Sequence, residues 1–128
     1  MKKLQFKDGL LYTSVKLKHG DKEIAVEDVI IDTGASHTII LTDYLTDLDV
    51  SFLDNDELVK SSGYGGIVFS AVRKKIERIE LDGIILEDCK LDFGVIDPYE
   101  RVNGLIGLDF LKAAKVVIDL DTLLIYKK

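Results

Sequence analysis

Apolar and polar side chains alternate along most of the chain, as they do in strands that bury one face and expose the other. The alternation predicts a strand from Leu11 to Lys18, a turn at 19–21 and a returning strand from Ile24 to Ile31. Two further hairpins are predicted, one with strands at 76–81 and 84–96 and one with strands at 116–118 and 123–126. We therefore expect a mainly β protein.

Three segments depart from this alternation. The run from Val29 to Ile31 is apolar at successive positions, which favours a strand covered on both faces. The segment from Leu108 to Ala114 predicts one short helix, whereas 44–57 is acidic and irregular and is compatible with a short helix over 41–48. No repeat or linker divides the sequence, so we interpret residues 1–128 as one domain.

Composition and charge exclude some classes of function. The 128 residues are 47% hydrophobic and 31% charged, which is typical of a globular domain. The net charge of −6 would repel the phosphates of a nucleic acid, so we expect no nucleic-acid partner. We interpret the basic residues between 73 and 78 as the solvated face of a strand: Arg73, Lys74, Lys75 and Arg78.

The single cysteine and the two histidines limit the chemistry further. Cys89 cannot form an intrachain disulfide, and we expect it to be a buried, unreactive thiol. Together with His19 and His37 it does not give the spacing of a zinc site, so we predict no metal and no cofactor. The N-terminus does not resemble a signal peptide, and no apolar stretch nears the roughly 20 residues that cross a bilayer. We expect a cytoplasmic protein without a membrane span.

A carboxylate at the end of the buried strand is the strongest candidate for chemistry. Asp32 follows the apolar run, where a carboxylate is costly unless it is hydrogen-bonded or functional. Gly34 allows a sharp turn that brings backbone N–H groups close, and Thr33 and Ser36 add hydroxyls within local reach. Asp, Thr and Gly also favour ordinary turns, and the triplet occurs by chance in on the order of a few per cent of chains of this length.

The run Asp-Thr-Gly-Ala-Ser at 32–36, preceded by three apolar residues and followed by Thr38, resembles the active-site loop of retroviral and pepsin-like aspartic peptidases. Two later segments are similar to the same family in the same order. The glycine-rich segment from Ser61 to Val68 resembles its flap, and Leu-Ile-Gly at 105–107 precedes the predicted short helix. The resemblance implies a closed β-barrel of the acid-protease type with one short helix, in a single lobe.

The resemblance also implies roles for individual residues. Asp32 is expected to be catalytic, and the four residues after it are expected to hold and orient it, with the first also gripping the opposite loop of a dimer: Thr33, Gly34, Ala35 and Ser36. The flap residues expected to close over a substrate are Gly63, Tyr64, Gly65 and Gly66. For Tyr64, a plain surface position stays open as an alternative.

The sequence also departs from the retroviral pattern. Retroviral enzymes often place Arg after the downstream glycine and an acidic partner where Ser36 stands, whereas this chain has Leu108 and Ser36. That combination is closer to pepsin-like and cellular members. Asp109 matches the acidic or amide residue that commonly follows and is interpreted as structural. His37 adjoins the motif and is left out of the catalytic set.

One Asp-Thr-Gly loop supplies one carboxyl group, whereas the resemblance implies a reaction that needs one protonated and one ionised carboxyl. We therefore expect a C2 homodimer that hydrolyses peptide bonds in extended polypeptides, with water activated between two copies of Asp32. The terminal strands are expected either to complete the dimer interface or to belong to the core, through Leu4, Phe6, Leu124 and Tyr126.

Two alternatives stay open at this stage. The first is a catalytically idle member of the same fold that serves as a dimerisation or peptide-binding module. The second is an unrelated β-barrel binding domain in which Asp32 only makes a turn.

Overall fold

The structure is a computed structural model that describes residues 2–62, 68–96 and 101–128. Within these ranges strands predominate, and the helices are short. The elements are β1 (Lys2–Lys3), β2 (Gln5–Lys7), β3 (Leu10–His19), β4 (Lys22–Ile31), β5 (Ile39–Leu41), α1 (Asp43–Asp47), β6 (Glu57–Ser62), β7 (Val68–Leu81), β8 (Ile84–Gly94), β9 (Gly104–Ile106), α2 (Leu108–Ala113), β10 (Val116–Asp119) and β11 (Leu124–Lys127).

Eight strands form one sheet in the order β2, β3, β4, β9, β5, β8, β7, β6. Strand β3 also pairs with β7, which closes the six strands from β3 to β7 in that order into a barrel. Closure pairs strands β3 and β7, which would otherwise present longer open edges, and leaves the shorter β2 and β6 as the outer strands. The predicted fold class, a closed all-β barrel, is confirmed, and the structure adds a second short helix, α1, where the irregular acidic segment was compatible with one.

Within the barrel, strands that are distant in sequence pair side by side. Strand β9 runs parallel to β4, with Val29 opposite Gly104 and Ile31 opposite Ile106, and antiparallel to β5. A Cβ on Gly104 would lie 2.9 Å from Cδ1 of Ile40 and 3.2 Å from the carbonyl oxygen of Ile39, so a larger residue would require its neighbours to shift. The segment before Asp32 and the segment before Gly107 therefore lie side by side.

The core fills the barrel with branched aliphatic side chains and two buried phenylalanines. Phe93 and Phe110 are 1% and 2% exposed, and the β4 run from Val29 to Ile31 is buried as predicted for a strand covered on both faces. Tyr12, which the alternation placed with the polar side chains of its strand, is also buried, at 8% exposed. Near it, the β3–β4 pairing shifts register between Thr13 and Val15, and a bulge of this kind disturbs strict alternation.

The chain ends form a separate three-stranded sheet in the order β1, β11, β10. Lys2 lies opposite Ile125 and Lys3 opposite Leu124, so the N-terminal strand pairs with the C-terminal strand of its own chain. Of the four terminal residues predicted for an interface or the core, Leu4 belongs to the core at 2% exposed, whereas Phe6 is 63% exposed. Leu124 and Tyr126 are half-buried.

Two consecutive cations on β7, Arg73 and Lys74, are not solvated as predicted, whereas the next one, Lys75, is exposed. Arg73 donates to both carboxylate oxygens of Asp92, at 2.7 and 3.2 Å, and a 3.3 Å bond joins it to Glu57. Lys74 is buried and donates to the Asp56 carboxylate at 2.6 Å and to the Ser51 carbonyl at 2.8 Å. Both cations thus fix the segment that leads into β6.

No helix in the described residues is long and apolar enough to cross a membrane. Among the same residues, no group of three or more His, Cys, Asp or Glu side chains could hold a metal ion.

The Lys74 and Asp56 pair generates a prediction about acid stability. Two hydrogen bonds lower the pKa of the Asp56 carboxyl. The larger effect comes from the N–H of Leu53, and the smaller one comes from the Lys74 ammonium. Because the folded pKa lies below the unfolded one, the carboxylate stabilises the fold above the unfolded pKa, about 3.9, and this contribution is lost as the pH falls through the folded pKa.

Replacing the carboxyl group should therefore weaken the pH dependence of stability. We expect the free energy of unfolding of Asp56→Asn to fall less steeply than that of the wild type when the pH is lowered from about 5 to about 2. Urea denaturation at several pH values measures both slopes. Equal slopes in the two proteins would contradict this role of the pair.

Candidate active site

Asp32 lies immediately after β4, at the end of the stretch in which β4 pairs with β9. Its backbone N–H donates to the carbonyl of Ile106 at 2.9 Å, so the parallel pairing of β4 with β9 continues up to this residue. Its side chain is partly exposed, and a reactant can therefore reach it. The buried strand fixes the position of the carboxylate while leaving its outer side accessible.

The turn after Asp32 orients the carboxylate. The N–H of Gly34 donates to Oδ1 of Asp32 at 2.9 Å, and the N–H of Ala35 donates to the Asp32 carbonyl at 3.1 Å. A Cβ on Gly34 would lie 3.2 Å from the same Oδ1, which is tighter than an ordinary van der Waals contact. Glycine therefore permits the close hydrogen bond, and a carboxylate has further lone pairs for other donors.

Thr38 and Asp109 tie this loop to α2. The hydroxyl of Thr38 donates to Oδ1 of Asp109 at 2.7 Å and accepts the N–H of Gly107 at 3.1 Å. The Thr38 N–H donates to Oδ2 of Asp109 at 3.0 Å, and the Phe110 N–H donates to Oδ1 at 2.8 Å. Since Thr38 is fully buried, water cannot easily compete for the bonds of its hydroxyl group.

Gly107 brings the start of α2 directly against the loop. A Cβ at this position would lie 2.7 Å from the carbonyl carbon of His37 and 2.8 Å from the carbonyl oxygens of Ala35 and His37. These are backbone atoms, so they cannot move aside cheaply. The N–H of Leu108 also donates to the Ala35 carbonyl at 2.8 Å, and the N–H of Asp109 donates to the Ser36 carbonyl at 3.3 Å.

The structure brings the four predicted support residues together with Asp32 in one short loop. Thr33, Gly34 and Ser36 are exposed, and Ala35 is half-buried. The Ser36 hydroxyl lies 3.2 Å from Nδ1 of His37, which is also exposed. The exposed side of the loop is thus free to meet another surface, while backbone bonds hold its other side.

The predicted flap residues lie outside the described residues: Gly63, Tyr64, Gly65 and Gly66. Their expected role stays a prediction. The backbone pairing of β6 with β7 is described as far as Ser62 opposite Val68, so the two strands that lead to the segment form an antiparallel hairpin.

A cavity of about 620 Å³ is lined in part by Ile30, which lies two positions before Asp32. Tyr12 on β3 lies opposite Ile30 on β4, and Ile30 lies opposite Leu105 on β9, so these three lining residues form one row across the sheet. Ile30 precedes Asp32 by two positions and therefore points to the same face of the strand. The row places an apolar floor next to the carboxylate.

The rim of the cavity carries both signs of charge. Its charged lining residues are Lys7, Asp8, Asp28 and Arg101, and the remaining ones are apolar: Leu10, Ile96 and Val102. The Lys7 ammonium lies 4.6 Å from the centre of the Tyr12 ring, a cation–π contact that joins the rim to the floor.

Cys89 takes no part in this site. It is half-buried, and burial raises its pKa to about 11, so the thiol stays protonated at neutral pH and is a weak nucleophile. The expectation of an unreactive thiol agrees with this environment.

Three contributors were not assigned to the site from the sequence. Thr38 was noted only as part of the motif, Asp109 only as structural, and Tyr12 as a polar-face residue. The signal for the first two was present, because Thr38 and Asp109 each follow a motif glycine, Gly34 and Gly107, at a short spacing. The pairing between them spans 71 positions and cannot be deduced from spacing.

Known proteins provide an independent comparison. The model of a family described as "gag-polyprotein putative aspartyl protease" matches residues 22–113, a range that includes both the Asp32 loop and Gly107. A crystal structure of a retropepsin-like aspartic protease from Rickettsia conorii is similar, with a TM-score of 0.63 and 21% identity over 94% of this chain and 92% of that one. This likeness shows a retropepsin-like fold. Among curated proteins, no sequence matches the chain.

The Thr38 network generates a prediction about stability. Thr38→Val keeps the shape of the side chain but leaves Gly107 N–H without its acceptor and Asp109 without one donor. We expect a loss of about 2–4 kcal/mol in the free energy of unfolding, since each buried group left unsatisfied costs about 1–3 kcal/mol. Denaturant unfolding measures this loss.

The matched control is Thr46→Val, which makes the same change at an exposed position in α1. Its free energy of unfolding should stay within about 0.5 kcal/mol of the wild type. If both variants lost equal stability, the Thr38 hydroxyl would not be the anchor of the loop.

Proposed function

This chain belongs to the family of gag-polyprotein aspartyl proteases, and on that basis we propose that it is an aspartic endopeptidase that cleaves extended polypeptides as a homodimer. The observation that carries the proposal is the partly exposed Asp32 carboxylate at the end of a buried strand, held by the N–H of Gly34 at 2.9 Å. A carboxylate placed only to make a turn would not need a second segment of the chain, 105–109, to fix its loop.

The need for a second subunit follows from the chemistry. Peptide hydrolysis by this route needs a protonated carboxyl group to polarise the scissile carbonyl and an ionised one to take a proton from water. The chain has one Asp-Thr-Gly loop, so a two-fold axis beside Asp32 would supply the second carboxyl. The exposed residues Thr33, Gly34 and Ser36 support an association on this side of the loop.

Two carboxylates that meet across an axis cannot easily both ionise, so they share one proton and titrate as a pair. The ionised Asp32 takes a proton from water as the water oxygen bonds to the carbonyl carbon, while the protonated one donates to the carbonyl oxygen. In the resulting diol, the C–N bond then breaks as the nitrogen gains a proton and a hydroxyl proton returns to the carboxylate pair. The Gly34 N–H steadies the ionised form throughout.

The substrate is a polypeptide in an extended conformation. An extended strand points alternate side chains to the same side, and the floor of Tyr12, Ile30 and Leu105 would accept an apolar side chain close to the scissile bond. The flap residues Gly63 to Gly66 are proposed to add backbone hydrogen bonds to the peptide, a form of strand addition. Location in the cytoplasm stays a prediction from the sequence.

The catalytic role of the carboxyl group can be tested by replacing it with an amide. Asp32→Asn should lower peptide cleavage by about 10³-fold or more, because an amide cannot act as the general base. Incubation with a diverse peptide library from pH 4 to pH 7 measures this loss and reports the cleavage preference. Asp47→Asn, the same change at an exposed position in α1, should keep wild-type activity.

Mixing the two proteins then tests the shared site. A ninefold excess of Asp32→Asn should lower the activity of a fixed amount of wild type roughly tenfold, because mixed dimers hold only one carboxyl of the pair. Undiminished activity would rule out the dimeric mechanism. If the wild type cleaves no peptide that the variant spares, the chain is an idle dimerisation or peptide-binding module of the same fold.

The role of the apolar floor can be tested by shortening one of its side chains. Leu105→Ala removes three carbon atoms beside Asp32 and should lower kcat/KM for peptides with leucine next to the scissile bond by about 10–100-fold. Peptides with larger aromatic residues there should lose less, since the enlarged cavity suits them. Steady-state kinetics on paired peptides measures the change, and Ile85→Ala, at a distant exposed position, is the control. An equal loss for both peptides would remove the cavity from the substrate site.

A further inference from the structure

Leu108 is a large apolar side chain left exposed beside the candidate active site. It is 46% exposed although it opens α2, whose buried face is formed by Phe110 and Leu111. Its backbone is fixed, because its N–H donates to the Ala35 carbonyl and the neighbouring Asp109 binds Thr38. The side chain is therefore held in place on the surface by the same bonds that hold the Asp32 loop.

The distance from Leu108 to Asp32 is short. Ile106 accepts the Asp32 N–H at 2.9 Å, and Leu108 follows two residues later, which is at most about 7 Å of chain. If two Asp32 carboxyls share a proton, they lie about 3 Å apart. A second copy would then stand within reach of any side chain exposed this close to the loop.

We propose that Leu108 is a dimer-contact residue that packs against a second copy of this chain beside the two-fold axis. The inference rests on the proposed function, because the site is incomplete without that second copy. The charge of the chain adds a reason. Each copy carries a net charge of −6, which opposes association, so apolar contacts must outweigh this repulsion.

The contact couples association to the site. Burial of Leu108 against a partner restrains α2, and α2 holds the loop through Ala35, Ser36 and Thr38. Each subunit therefore adds a further contact to the α2 helix that holds its partner's loop.

Ile85 provides a matched control, because it is 41% exposed and lies elsewhere on the barrel. Across the sheet, Ile85 lies opposite Glu80 on β7, and Glu80 lies opposite Lys16 on β3. Tyr12 on β3 lies opposite Ile30 on β4, so Lys16 is about six residues along β3 from the position opposite Asp32. At about 3.3 Å per residue this separation is about 20 Å. A partner that covers Leu108 near the axis leaves Ile85 in water.

Sedimentation equilibrium of the wild type, Leu108→Ala, Leu108→Asp and Ile85→Asp tests the proposal, with far-UV circular dichroism to check folding. We expect Leu108→Ala to raise the dimer dissociation constant by about tenfold or more, since each dimer loses two buried side chains, and Leu108→Asp to raise it further. Ile85→Asp should change it by less than about twofold.

The outcomes separate the inference from the function on which it rests. If the wild type dimerises and both Leu108 variants dimerise equally well, the contact is overturned and the dimeric peptidase stands. If the wild type stays monomeric at hundreds of micromolar, both fall. Should the variants fail to fold, spin labels at Leu108→Cys and Ile85→Cys in a Cys89→Ser background give a second reading. The proposal requires the shorter distance between subunits at position 108.

Discussion

The hydrogen bonds between Thr38, Gly107 and Asp109 hold the rest of the site in place. They join the end of the Asp32 loop to the start of α2, two segments separated by about seventy positions, and they are buried at Thr38. A buried network whose members are all paired is rigid, and an unpaired member would be costly. Asp109 is therefore a structural carboxylate whose task is to fix the geometry around a different carboxylate, Asp32.

This network depends on a glycine that permits close approach. Gly107 brings the start of α2 against the carbonyl groups of Ala35 and His37, where a Cβ would meet backbone atoms, and Gly104 has a less severe tight contact where β9 lies against β5. The aliphatic core buries these paired strands, as Val29, Ile40 and Ile106 show. The barrel therefore supplies rigidity on the inner side of the loop, while Thr33 and Ser36 stay exposed on the outer side.

Much of the architecture could be predicted because its signals are local. The β3–β4 and β7–β8 hairpins, the buried run before Asp32 and the helix after Gly107 follow from alternation, apolar runs and glycine positions, and the structure confirms them. Strands β1, β2, β5 and β9 were not predicted, since they have two or three residues and too few positions to show a period. Arg73 and Lys74 were misplaced because burial of a cation depends on distant partners, here Asp92 and Asp56. The cavity was not predictable for the same reason, because Tyr12, Ile30 and Leu105 meet only through sheet register.

The arrangement of the chain ends affects how the subunits of the proposed dimer would separate. Residues Leu124 and Ile125 of β11 have a strand of their own chain on each side, β1 and β10. No strand from another molecule can insert between them without breaking hydrogen bonds inside one subunit, and a neighbour can only add at an outer edge. In the proposed dimer, association and dissociation would then be encounters between two folded subunits that keep their own terminal sheets, and neither chain would have to unravel for subunits to exchange.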